Sequence, residues 1–244
     1  MDSSKRGQET MTQGVTTPGA EAPTASSETT RRLTGALLAC GAVAGPLYIV
    51  LGLVQVLIRP GFDLRRHELS LMSIGDLGWI QITNFLVTGL LVIAGAVGMR
   101  RVQHPGRGWT WGPLLVGVYG LGLIGAGFFV ADPMNGFPPG TPAGTTNAIS
   151  WHALLHFISA GVGFLGLIAA CFMFARRFAA LGQRGWTAYS ATTGVVFLAA
   201  FFGIASGSKQ AAINLAFAVA VVLGWAWVSA IAARLMTERP DERG

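Results

Sequence analysis

Six long apolar runs constrain this chain more than any other feature. They cover approximately 33–58, 78–99, 110–130, 150–175, 186–205 and 210–233. Each holds about 20 residues or more, enough for a helix to cross a hydrocarbon core ~30 Å thick. A helix is the expected spanning form because it satisfies every backbone N–H and C=O internally. Barrel strands are shorter and alternate in polarity, which these runs do not. Only Ser206-Gly207-Ser208-Lys209-Gln210 separates the last two runs, so a tight turn is required there. The predicted fold is all-α, an integral membrane bundle of six transmembrane helices. Residues 33–235 form that domain, with a disordered cytoplasmic tail at 1–32 and a short cytoplasmic tail at 236–244.

The N-terminal tail reads as disordered because it has almost no large apolar side chains to offset its ordering entropy. Charged residues make up 11% of the chain, where a soluble domain carries about a quarter. A net charge of +6 raises the question of nucleic acid. The cations instead flank apolar runs, which is how membrane proteins fix their orientation. Lys5, Arg6, Arg31, Arg32, Arg100, Arg101, Arg107, Arg176, Arg177, Arg184, Arg234, Arg239 and Arg243 fall on one side, and Arg59, Arg65, Arg66 and Lys209 on the other. The positive-inside rule assigns the larger set, and both termini, to the cytoplasm. Trp109, Trp111 and Trp186 then mark the inner boundary, and Trp79 and Trp151 the outer one. Cys40 and Cys171 both lie inside apolar runs, so no disulfide framework is expected.

Glycines crowd the third run (Gly112, Gly117, Gly120, Gly122, Gly125, Gly127) and the fourth (Gly161, Gly163, Gly166). No strand precedes them, so a dinucleotide cradle is not indicated. Close helix packing is expected instead.

Candidate chemistry gathers at the predicted outer face. One loop carries His67, Glu68, Ser70, Ser73 and Asp76; the next carries Asp132 and Asn135 and leads to His152 and His156. The fourth histidine, His104, sits beside Pro105 in an inner loop and reads as solvated. A spacing of four puts His152 and His156 on one helix face, a geometry able to chelate a metal. Asp132 is the candidate third ligand and His67 a candidate fourth. The alternative for His156 is a hydrogen bond to a carbonyl or hydroxyl of a neighbouring helix, since a buried polar group needs a partner. Asp132 equally fits a helix-exit turn before Pro133. Gln55, Gln81 and Asn84 lie within spans and either line a shared cavity or bond between helices. Haem ranks below zinc, because two histidines four apart on one helix cannot reach both faces of one iron.

The stretch from His67 through Asn84, the Ala131-Asp132-Pro133-Met134 and Phe137-Pro138-Pro139-Gly140 segments, and Ser150-Trp151-His152 through His156-Phe157 together resemble domain-of-unknown-function family 998. That resemblance covers about 33–235 and implies a prokaryotic multi-pass membrane protein without an assigned reaction. A looser likeness, to the alkaline ceramidase and progestin-receptor-like membrane hydrolases, implies counterparts in Ser70 or Ser73, Asp132, His152 and His156. Those proteins have a seventh helix and carry the His pair in their last helix, whereas here it opens the fourth.

The resulting functional expectation is a hydrolase of a lipid-like substrate at the outer face of the plasma membrane. Zinc held by Asp132, His152 and His156 lowers the pKa of a bound water, and His67 or Glu68 shuttles protons. The alternative is a small transporter or scaffold whose outer polar cluster is a vestibule or a structural network. Membrane lipids are the expected surroundings and nucleic acid is not an expected partner.

Overall fold

The computed structural model describes residues 25–102, 108–144, 148–208 and 210–237. The expectations for residues 1–24, His104, Arg107, Lys209, Arg239 and Arg243, and for the side chain of Trp109, fall outside these residues.

The helices are α1 (Ala25–Ile58), α2 (Gly78–Arg101), α3 (Gly108–Phe128), α4 (Trp151–Ala180), α5 (Arg184–Ala205) and α6 (Ala211–Thr237), with a short 3₁₀ turn over Leu69–Ser73. All six are long and apolar enough to cross a membrane. Each packs on the next in sequence, and α6 returns to α1, so the bundle closes into a ring. Its outward surface carries Leu57, Leu90, Leu121 and Phe128, all well exposed. In water such a surface would be an aggregation liability; against lipid tails it is the required solvent face. Trp79, Trp111 and Trp151 are exposed on it, whereas Trp186 packs against Phe178 and beneath the Arg234 guanidinium.

Helix α1 starts well before the expected boundary at residue 33. Its 34 residues reach about 50 Å at ~1.5 Å per residue, more than a bilayer core needs. Residues 25–32, expected as tail, are helical. The Arg32–Glu28 pair at 2.6 Å and the Thr30 and Thr34 hydroxyls, which donate to carbonyls four residues back, carry the helix outward.

Glycine contacts set the ring's diameter. A Cβ on Gly122 would stand 2.6 Å from the Gly163 Cα, and one on Gly95 2.6 Å from the Gly41 Cα. Gly89 and Gly120 meet similarly between α2 and α3. Backbones approach this closely because lipid supplies no hydrophobic drive between helices and packing must supply the attraction. In α1, the Gly45 N–H donates to the Ser229 hydroxyl at 3.2 Å beside Pro46, tying α1 to α6.

Candidate functional site

At the end of the bundle opposite the start of α1 and the end of α6, two loops fold into one lid. Arg59, just past α1, is buried and donates to the carbonyls of Met72 (2.9 Å) and Ile74, which shapes the α1–α2 loop. Its guanidinium also lies over the Phe137 ring at 5.2 Å. The α3–α4 loop contributes a tight Asn135-Gly136 turn with both φ angles positive, closed by paired bonds between Met134 and Phe137 (3.0 and 3.1 Å). Asn-Gly suits this turn because both residues tolerate left-handed backbone.

His67 clips the two loops together. Its Nδ1 accepts the Asp63 N–H at 3.0 Å and its Nε2–H donates to the Asn135 carbonyl at 3.0 Å. Those partners define a neutral ring protonated on Nε2. The ring is buried between Phe62 and Phe137. Asn214 of α6 donates to the Arg65 carbonyl at 3.1 Å, anchoring the lid to a third part of the chain.

Beneath the lid lies a cavity of about 530 Å³, within the range of ligand-binding sites. All six helices line it. Tyr48, Phe85, Tyr119, Phe164, Phe217 and Trp225 form much of its wall, and Glu68 and Ser70 contribute a polar rim. Trp225 stacks on Tyr48 with ring centroids 4.6 Å apart, and its buried Nε1–H has no acceptor among the described residues. Burial raises the Glu68 carboxyl above its ordinary range, opposed by its own backbone N–H.

The residues expected to carry chemistry divide into two groups. Glu68, Ser70 and His156 line the cavity. His67, Asp132 and His152 do not line it. Asp132 accepts the Ser150 N–H at 2.8 Å, and the Ser150 hydroxyl accepts the Ala153 N–H at 3.1 Å, so both oxygens cap α4. His152 is exposed and lies 3.5 Å, ring to ring, from Trp151. His156 is buried, and its Nδ1–H donates to the carbonyls of Phe129 (2.7 Å) and Ala126 (3.2 Å). Those carbonyls lie in and just past the last turn of α3, where helical partners run out. Asp132, His152 and His156 are thus not brought together. Among the described residues, no three His, Cys, Asp or Glu side chains form a group able to hold a metal.

The polar residues inside α1 and α2 bond to one another and do not line the cavity. Gln55 donates to Gln81 at 2.8 Å, Gln81 to the Tyr48 hydroxyl at 3.3 Å, and Asn84 to the Tyr48 carbonyl at 3.3 Å. Of the two readings the sequence left open, the interhelical one holds. Sequence reasoning missed Arg59 as a lid organiser, because it counts there as an orientation charge. It also missed Tyr48, Tyr119 and Trp225, since an aromatic in an apolar run gives no sign of facing inward. The Asn135-Gly136 turn did carry a readable signal.

A family model described as Protein of unknown function (DUF998) matches residues 42–234. Comparison with curated proteins and with solved structures gives no match.

Proposed function

The chain belongs to the DUF998 family of proteins of unknown function, and from that premise we propose that it is a membrane-embedded receptor or carrier for a lipid-like molecule. The observation that carries this reading is the cavity of about 530 Å³, apolar in its wall and polar at its rim. The unpartnered Trp225 Nε1–H supports it, because an oxygen on a bound molecule would relieve a buried donor. The distribution of Lys and Arg supports placing the termini in the cytoplasm and the lid on the extracytoplasmic face of the plasma membrane.

The test is saturable binding of a pyrene-labelled long-chain alcohol to the purified, delipidated protein. Ala160, on the cavity wall, is enlarged in Ala160→Trp. This variant is expected to bind about tenfold or more weakly while unfolding at an unchanged temperature. Equal binding by both proteins rules the cavity out as the site.

One observation favours a second reading, hydrolysis of a lipid-like ester or amide: Glu68, Ser70 and His156 share the cavity. With Nδ1–H fixed on α3 carbonyls, His156 offers Nε2 as a base. Zinc on Asp132, His152 and His156 is the metal-dependent form of this reading, in which His156 Nε2 is a ligand in place of a base, and it requires Asp132 to leave the α4 cap. Bound zinc in the purified protein that is lost in both His152→Ala and His156→Ala supports it. Full zinc retention by either variant removes that ligand set.

A further inference from the structure

The cavity has one charged side chain on its lining among the described residues, Glu68. No described lysine or arginine pairs with it. Arg59 is committed to the Met72 and Ile74 carbonyls, and Arg66 reaches toward Asp63 at 3.7 Å. Glu68 is nonetheless only partly exposed. A half-buried, unpaired carboxylate beside an apolar space is costly, and a bound cation relieves that cost. The lid holds it there: the neighbouring His67 is locked to Asp63 and Asn135, and Glu68 itself opens the Leu69–Ser73 turn.

The remaining boundary of the mouth is apolar. The exposed lining residues are Ile149 (64%), Phe157 (46%), Ala205 and Gly207, at the start of α4 and around the α5–α6 turn. At Gly161 the packing between α4 and α5 is open, since a Cβ there would meet only Phe201 Cζ, at 4.0 Å. A mouth with one acidic point and an exposed apolar side suits a molecule with a cationic head and a hydrocarbon tail.

Resting on the binding reading above, we propose that the ligand is a single-chain amphiphile with an amine headgroup, taken from the surrounding bilayer. Its chain fills the cavity and its ammonium pairs with Glu68.

The experiment uses the full chain in phosphatidylcholine vesicles with the pyrene alcohol bound. Dodecylamine, dodecanol and dodecanoate compete for it, alike in chain and different in headgroup. The amine is expected to displace the probe at about tenfold lower membrane content than the other two. Glu68→Gln, nearly isosteric, should erase that preference, bringing the amine's potency to that of dodecanol measured on the same variant. Displacement should follow the amine's mole fraction in the membrane and not its aqueous concentration. Preference for the amine that survives in Glu68→Gln overturns the proposal, as does a wild type preferring the alcohol or the carboxylate. Dependence on aqueous concentration at fixed mole fraction overturns the bilayer source. Failure of the pyrene alcohol itself to bind removes the binding reading, and this proposal with it. Probe binding without amine preference removes the proposal alone.

Discussion

His67 and Glu68 are consecutive and do different work. His67 has both ring nitrogens engaged with backbone, one as acceptor and one as donor, and serves to hold two loops in register. His67→Ala leaves the half-buried Asp63 N–H and Asn135 carbonyl without their side-chain partner, which costs about 1 kcal/mol. The expected readout is faster hydrogen exchange in 59–76 and 131–144 with the helices unchanged; unchanged exchange in both loops contradicts the clip. Glu68 makes stability depend on pH. Burial raises its pKa in the folded state, so the folded protein binds its proton more tightly than the unfolded chain does. The associated stability is present below the ordinary carboxylate range and is lost as pH rises through and above it. Thermal unfolding of the ligand-free protein should therefore fall over that window, and Glu68→Gln should flatten the dependence. An identical slope in the variant assigns it to another group.

Among the helices, α3 and α4 show how small residues divide between packing and function. Gly122 and Gly163 meet backbone to backbone at the cavity's edge, and Gly125 faces Ser159, whereas Gly161 of α4 borders the cavity with no close neighbour. Gly122→Leu has no room and should destabilise by about 1–3 kcal/mol through overpacking. Gly161→Ala should be neutral or gain up to ~1 kcal/mol from helix propensity. Thermal unfolding in detergent separates them, and equal effects would mean that the α3–α4 seam is not tight. Glycine richness was legible in the sequence as close packing. Which glycine touches a helix and which borders a void was not, because neighbours thirty or more residues away decide it.

For the whole molecule, the closed ring puts both loops of the lid at one end and the start of α1 and the end of α6 at the other. With Cys40 and Cys171 replaced by alanine, single cysteines at Gly136 and at Thr237 should label from opposite sides of sealed vesicles. Labelling from the same side contradicts the three crossings, by α4, α5 and α6, that separate these two positions. The positive-inside assignment adds which side: impermeant reagent on intact cells should reach Gly136 and spare Thr237.

Hydropathy and run length alone determined the six spans, because a backbone in lipid has almost no alternative to the helix. The turn between the last two helices followed from how few residues remained for it. Sequence spacing also put His152 and His156 on one helix face, but spacing carries no information about what the facing helix offers. Only the tertiary structure set the α3 carbonyls against His156, turned Asp132 to the cap of α4 and left His152 exposed. It likewise made Arg59 a buried organiser and gave Glu68 an apolar cavity for a neighbour. The physical reason is that a polar side chain's role depends on the nearest unsatisfied partner in space, and ring closure brings those partners from distant segments.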